Sequence, residues 1–322
     1  MKSKVCMIVN PGSRSGKSVE TCTMAEQVLK NRKIPYTVLF TQKRWDAARF
    51  AKKFCEEANA AGEICNLIVL GGDGTINEAI NGIPDFTKVR FGVVASGSGN
   101  DFGRGLKIEG TPKEQIRYIL DDLKEGAAPD WIDLGKVTYD KGQGSRYYAI
   151  SSGFGLDAEI TRRVNLSSLK STLNKLKLGK FVYFIVTIQA LFDMTTTRMY
   201  VQRGDSHGIF SKAIFLAAMN FFGEGGGIPM APDADPRDGK LSVCMVHGVP
   251  KWKTFFILPI LALGKHKRLH GVQLFSDKEF TVQADHPLVL HTDGEHVCDT
   301  MEVQFSCVPH ALPVIGLRGE KR

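Results

Sequence analysis

The apolar run Leu67-Ile68-Val69-Leu70 ends directly in Gly71-Gly72-Asp73-Gly74-Thr75, and a helix-like stretch over 76–83 follows. No other feature constrains the chain as strongly as this short buried strand opening through glycines onto a helix. Glycine permits backbone conformations and close approaches that a Cβ would block. Amide N–H groups at a strand end and helix start can point at an anion. Asp73, between the glycines, can face phosphate only through a metal or a bridging donor. The junction therefore points to a nucleotide site that uses magnesium.

The surrounding segments alternate in type. Residues 4–9, 36–40, 67–70 and 91–95 read as short buried strands, and 18–33, 45–61, 75–82 and 112–125 as helices. Such alternation predicts βαβ units and a mainly parallel sheet. Thr111, Pro112 and Glu114 have the spacing of an N-cap, a proline at N1 and an N3 capping partner. Ligands on such sheets bind at the carboxyl ends of the strands. The glycine-rich segments 10–16, 71–75 and 96–105 all follow predicted strands, so they should meet on one rim.

The pattern changes near Asp130. Residues 131–139, 146–154, 198–202, 213–219, 241–246, 273–275, 279–284, 288–291 and 301–306 read as strands, split by turn signals. Many strands with few helices predict an antiparallel sandwich or barrel, interrupted by one helical insert over 167–193. The length of 322 residues suits two domains, and the boundary is expected near 129–133.

The net charge of +8, from 42 basic and 34 acidic side chains, favours anionic partners. Seven cysteines without a CxxC pair suit a reducing compartment. Only five apolar residues follow the basic N-terminus before Asn10-Pro11-Gly12, too few for a signal peptide. The longest uncharged apolar run, 181–192, falls below the ~20 residues that span a bilayer. These features predict a cytoplasmic protein without a transmembrane segment. Basic clusters beside the apolar runs 181–192 and 255–263 suit peripheral contact with an anionic membrane, or else packed helices with solvated faces. The histidines lack an HExxH motif, and the one HxxxH spacing, His266 and His270, lies in a basic cluster without a third ligand nearby in sequence, which gives zinc chemistry little support. The basic residues lack interleaved aromatics, which disfavours nucleic acid.

Four loops carry candidate chemistry. Gly12-Ser13-Arg14-Ser15-Gly16-Lys17-Ser18 has three residues between its glycines where a P-loop has four. A phosphate-facing turn with Ser15, Gly16 and Lys17 near the ligand is expected, against a plain helix-capping turn. In Ser96-Gly97-Ser98-Gly99-Asn100-Asp101-Phe102, Asn100 or Asp101 could simply cap a helix. Asp293-Gly294-Glu295 is a hairpin signal, though two carboxylates flanking a tight turn can also hold a metal or take a proton from a hydroxyl. Asp233, Asp235 and Asp238 offer oxygen ligands for a hard cation, but their spacing alone favours an exposed acidic turn.

Taken in order, these motifs resemble the diacylglycerol kinase catalytic-domain family, in particular its soluble bacterial lipid kinases. The resemblance rests on Gly71-Gly72-Asp73-Gly74-Thr75 with Asn77-Glu78, Gly99-Asn100-Asp101-Phe102 with Arg104, and Asp133-Leu134-Gly135. It continues through Gly153-Phe154-Gly155, Pro232 with Asp238-Gly239-Lys240-Leu241, and Asp293-Gly294-Glu295. It implies an α/β nucleotide-binding domain with a parallel sheet over 1–130, rejoined by the C-terminal segment 308–322. An antiparallel β-sandwich over 131–307 would carry the lipid substrate.

The implied reaction transfers the γ-phosphate of ATP to a lipid hydroxyl, most simply that of diacylglycerol. Asp293 is implied as general base and Glu295 as a further essential acid, with Asp73 catalytic. A magnesium–water network would engage Asp73, Asp101 and Asp133. A structural magnesium would take Asp235, Asp238 and the carbonyl of Lys240. The nucleotide is expected against Asn10, Ser15, Gly16, Lys17, Thr41, Gly71, Gly72, Gly74, Thr75, Ser98 and Asn100. The first glycine turn is longer than the family's usual Asn-Pro-x-Ser-Gly. An NAD kinase-like enzyme with a soluble substrate and a catalytically silent nucleotide- and membrane-binding module are the competing readings. A homodimer is left open.

Overall fold

The computed structural model describes residues 4–13, 17–95, 99–166 and 179–318. The first part runs β1 (Val5–Val9), α1 (Lys17–Asn31), β2 (Tyr36–Phe40), α2 (Asp46–Ala60), β3 (Cys65–Gly71), α3 (Asp73–Gly82), β4 (Val89–Ala95), α4 (Asp101–Gly105) and α5 (Pro112–Glu125). Its strands are parallel in the order β2-β1-β3-β4. Every residue of β1 and β3 is buried, as expected of strands covered on both faces. Val9 lies opposite Phe40 and Leu70, and Leu70 opposite Val94. That register brings Asn10, Thr41 and Gly71 to one rim. On α5 the reciprocal capping box of Thr111 and Glu114 forms, with Pro112 at the first helical position and Gly126 closing the end in the left-handed conformation.

The second part continues with β5 (Asp130–Tyr139), β6 (Gly144–Tyr148), β7 (Ser151–Gly155), α6 (Leu156–Leu166), α7 (Gly179–Asp193), β8 (Thr197–Arg203), β9 (Ser206–Ala213), β10 (Phe215–Met219), β11 (Leu241–Val246), α8 (Lys251–Ala262), β12 (Val272–Asp277), β13 (Glu279–Thr292) and β14 (Glu295–Ile315). Its pairings are antiparallel, including β12-β11-β10-β7-β13-β14. Phe154, Phe280, Phe305 and Leu290 lie in the core of this half, with Phe280 stacked on Phe305 at 5.0 Å between ring centroids. Burying side chains of this size stabilises by about 1.5–3 kcal/mol each. The molecule thus combines a parallel α/β half with an antiparallel β-sandwich half.

The 21-residue β14 links the two halves. It pairs with β13 as far as Ser306 and with β5 as far as Val308, shifts register against β5 before Leu312, and also runs parallel to β4 with Val314 opposite Phe91. His310, at the shift, has φ of 48°.

Several elements differ from the sequence expectation, each for a local reason. The stretch 146–154 is two strands, because Ala149, Ile150 and Ser151 turn their N–H groups toward Asp293. Segments 279–284 and 288–291 form the single strand β13, which absorbs the intervening residues as an irregularity between Gln283 and Leu288. The last strand extends far beyond 301–306. β9, polar along its exposed face, was not expected; it pairs with β8 across Gly204, whose φ is 54°. The helical insert is bounded by α6, which begins before it at Leu156, and α7; residues 167–178 lie outside the described residues.

Candidate active site

Three loops meet at the carboxyl rim of the parallel sheet. Asn10, directly after β1, donates from Nδ2 to Thr75 Oγ1 at 3.0 Å and accepts the Gly12 N–H at 3.0 Å. The first glycine turn is thereby tied to the second. Thr41 joins the same rim through its N–H, 2.9 Å from the Val9 carbonyl. Asp73 sits at the amino end of α4, accepting the N–H groups of Asp101 (3.2 Å) and Phe102 (3.1 Å). Asp101 in turn accepts the Gly226 N–H at 2.9 Å and pairs with Arg104 at 3.2 Å. Asn100 holds φ of 54° with its Oδ1 buried and unpartnered among the described residues.

Burial raises the proton affinity of Asp73. The Phe102 N–H opposes that shift, and the Asp101 carboxylate adds to it. Two carboxylates held this close in a desolvated rim carry surplus negative charge, which a divalent cation would neutralise. Oxygen donors of this kind fit a hard cation such as magnesium.

The Asp-Gly-Glu hairpin faces this rim from the other half. The Asp293 carboxylate accepts four hydrogen bonds: from Asn77 Nδ2 (2.8 Å) and the N–H groups of Ala149 (2.9 Å), Ile150 (2.8 Å) and Ser151 (3.1 Å). Burial raises its proton affinity while these donors act against the rise. Asp293 has φ of 48°, so the hairpin turns in the left-handed region that aspartate tolerates. Glu295 pairs with Arg44 at 2.7 Å. Its other oxygen lies so near Gly74 that a Cβ there would stand 2.9 Å away. Glycine at 74 thus allows the carboxylate of Glu295 to approach the first-domain turn.

Asn77 is the hub between the halves. Its Oδ1 accepts Arg146 Nε (3.0 Å) and Nη2 (2.6 Å), and its Nδ2 also reaches the Tyr147 carbonyl at 3.0 Å. Arg146 lies over the Trp45 ring at 4.6 Å. Arg44, Trp45 and Arg146 line a polar cleft of about 480 Å³ with Asn81 and Ser145. Among these, sequence reasoning singled out only Asn77, within a motif. Arg44, Trp45 and Arg146 carry no spacing signal, because their partners lie far away in the chain.

A second buried network adjoins the hairpin and was also not expected. Ser151 Oγ donates to Glu224 Oε2, and His291 Nε2 faces Asp157 Oδ2 at 3.4 Å. The ligand-type atoms of Asp157, Glu224 and His291 lie within 4.8 Å of one another. His291 Nδ1, however, accepts the Gly294 N–H. Nε2 must then carry the proton, which suits proton sharing rather than metal ligation. Burial raises Glu224 to about 7. Burial disfavours the charged form of His291, but Asp157, Glu224 and Asp293 together outweigh it and the net shift is upward. The signal available in the sequence was the run Gly223-Glu224-Gly225-Gly226-Gly227, whose last three glycines all take positive φ.

Asp133 is fully buried beneath a separate loop. Its carboxylate accepts the N–H groups of Gly239 (2.7 Å) and His310 (2.8 Å), so it ties β5 to the 235–240 loop and to the bend of β14. Asp235 and Asp238 each accept one loop N–H, from Arg237 and Lys240. Burial raises the proton affinity of Asp238, and Asp235 and Asp133 add to the rise. That crowding fits a cation at the loop. Asp133 stands with this loop, while Asp73 and Asp101 stand with each other. Ser15, Gly16 and Ser98 lie outside the described residues, and Lys17 opens α1.

Residues 4–128 match the family model described as "Diacylglycerol kinase catalytic domain", and residues 150–316 match "YegS C-terminal NAD kinase beta sandwich-like domain". A Bacillus subtilis (strain 168) protein named "Putative lipid kinase YtlR" is 26% identical over 311 residues, covering 95% of this chain and 97% of that one. A protein of Staphylococcus carnosus (strain TM300) named "Diacylglycerol kinase" is 27% identical over 92% of this chain and 90% of its own. The solved structure described as a "putative diacylglycerol kinase from Bacillus anthracis str. Sterne" shares the fold, with a TM-score of 0.74 at 22% identity over 97% of this chain and 96% of that one.

Proposed function

The chain belongs to the diacylglycerol kinase catalytic-domain family, and we propose that it transfers the γ-phosphate of ATP to a lipid hydroxyl, diacylglycerol giving phosphatidic acid. One observation carries the reading: the Asn77–Asp293 hydrogen bond and the Glu295–Gly74 approach bring the Asp-Gly-Glu hairpin against the Gly-Gly-Asp-Gly-Thr turn. The phosphate-side turn and the acids that would serve the acceptor thus share one crevice.

In this reading the triphosphate lies along Asn10, Thr41 and residues 71–75. The acceptor oxygen bonds to the γ-phosphorus, the bond to the bridging oxygen breaks, and ADP leaves. The hydroxyl proton goes to Asp293, whose proton affinity burial raises, once the acceptor oxygen takes the place of one of its four donors. Glu295, anchored by Arg44, fixes the acceptor side of the turn. Phosphoryl transfer depends mainly on positioning and charge neutralisation. Magnesium, held at Asp73 and Asp101, would offset phosphate charge there. A second magnesium at Asp235, Asp238 and the Lys240 carbonyl would brace the loop that Asp133 anchors.

The test is a screen for transfer of label from [γ-32P]ATP to lipid alcohols in mixed micelles, with magnesium present or chelated, and with NAD as a soluble acceptor. Labelled phosphatidic acid that depends on magnesium is expected. Phosphorylation of NAD without lipid would overturn the reading in favour of a soluble substrate.

A further inference from the structure

Helix α8 is apolar all round, which in a water-soluble setting calls for a partner on every side. One side of it packs into the core of the described residues. Thr254, Ile257 and Leu261 are buried, and Ile257 and Leu261 pack into the cluster that also holds Met219, Met230 and Val246. At ~100° per residue, Trp252, Phe256, Pro259 and Leu263 fall within roughly 60° of one another on the opposite side. That stripe is open: Trp252 is 61% exposed, Phe256 62% and Leu263 70%. Phe192, 72% exposed, lies at the end of α7 beside α8, where Lys251 Nζ donates to the Phe192 and Met194 carbonyls at 2.8 Å each.

The rim of the stripe is cationic. Lys253 sits over the Trp252 ring at 5.6 Å, and Lys265 and Arg268 follow the helix, exposed. Neither Lys253, Lys265 nor Arg268 forms an ion pair among the described residues. The two nearby acids are already paired, Asp193 with Arg163 and Asp233 with Lys267.

We propose that the face formed by α8 and the end of α7 docks on an anionic lipid bilayer, with Trp252, Phe256, Leu263 and Phe192 entering the acyl boundary and Lys253, Lys265 and Arg268 meeting the headgroups. The inference rests on the lipid-kinase reading, since a bilayer is where such an acceptor resides. Exposed apolar helix faces with basic flanks bind anionic membranes in this manner, buried at the headgroup boundary. The four apolar side chains expose on the order of 500 Å², short of the ~800 Å² per partner of a stable protein interface. No helix among the described residues is long and apolar enough to cross a membrane, so the contact is peripheral at this face.

Docking here also orients the cleft. His266, fully buried in the loop after α8, bonds the Met230 carbonyl at 2.9 Å. Met230 belongs to the segment whose Gly226 N–H holds Asp101. The membrane face and the cleft are therefore parts of one packed unit.

The experiment measures co-sedimentation of the full chain with diacylglycerol-free vesicles, of phosphatidylcholine alone or mixed equally with phosphatidylglycerol. Wild type is compared with the double variant Trp252→Ser/Phe256→Ser and with Lys253→Glu/Arg268→Glu. Phosphorylation of a short-chain diacylglycerol dissolved as monomer is measured in parallel. Wild type should bind the anionic vesicles preferentially and release at ~0.5 M salt. Both variants should lose about tenfold or more in vesicle affinity while keeping the soluble reaction. The charge-reversal variant keeps the apolar residues, so it tests the same face should the serine variant lose stability. Equal vesicle binding by wild type and variants, no binding by wild type, or a dimer broken by the serine variant in place of vesicle binding would each overturn the proposal. Vesicle binding that is lost in the variants, with no phosphorylation of the soluble acceptor by any of the proteins, would support the docking face and remove the kinase reading alone.

Discussion

Asn77 Nδ2 lies 2.8 Å from Asp293 Oδ2, across 216 residues of chain. The helix that follows the glycine turn is thereby bonded to the acidic hairpin of the other half. Asn77 simultaneously holds Arg146 through its oxygen, so one buried amide fixes the relation between the glycine turn and the acidic hairpin.

Asp293 and Glu295 should separate on substitution. Asp293→Ala leaves the buried N–H groups of Ala149 and Ile150 without their acceptor, and each such group costs about 1–3 kcal/mol. It should therefore lower the melting temperature and turnover together, the latter by about 10² or more. Glu295→Gln touches a partly exposed side chain whose partner is Arg44. It should reduce turnover with little change in melting. Calorimetry beside steady-state kinetics reads both; equal melting temperatures for Asp293→Ala and wild type would contradict the anchoring role.

Asp73→Asn keeps an oxygen toward α4 but removes the charge that would hold the proposed cation. Turnover should fall by about 10² at saturating ATP, and added magnesium should not restore it. Titrating magnesium against rate in wild type and variant checks this.

Magnesium should raise the melting temperature of wild type in the absence of nucleotide, by mass action on the 235–240 loop. Asp235→Asn with Asp238→Asn should abolish that rise and leave ATP affinity within about twofold. A magnesium effect that persists in the double variant would place the stabilising ion elsewhere.

The network around Glu224 predicts a pH dependence of stability. Its folded value, raised by burial to about 7, lies above the ordinary 4.5. The folded state therefore holds a proton that the unfolded chain releases. The stability this contributes is complete below pH 4.5 and is lost as pH rises through about 7. Urea unfolding across this window should show stability falling with pH, and Glu224→Gln should flatten the fall. An unchanged slope in Glu224→Gln would show that Glu224 is ionised throughout.

Much of the α/β half was legible because its signals are local. β2, α5 and the capping box of Thr111 follow from periodicity and turn chemistry within a few residues. The rim was legible for the same reason, since parallel strands of equal register end together. The antiparallel half was less so. β9 buries little and alternates weakly, and the break after β6 depends on Asp293, a residue far along the chain. The partners Arg44, Arg146 and Glu224 escaped for one physical cause. Each acts through a long-range contact, with Glu295, Asn77 and Ser151, that no spacing in the sequence encodes.

The most direct measurement is label transfer from [γ-32P]ATP to diacylglycerol in mixed micelles containing magnesium, for wild type, Asp73→Asn and Glu295→Gln. Labelled phosphatidic acid from wild type, with both variants reduced by about 10², is the predicted result. Transfer at wild-type rates in both variants, or ATP binding by wild type without transfer to any lipid alcohol, would contradict a shared crevice for phosphate and acceptor.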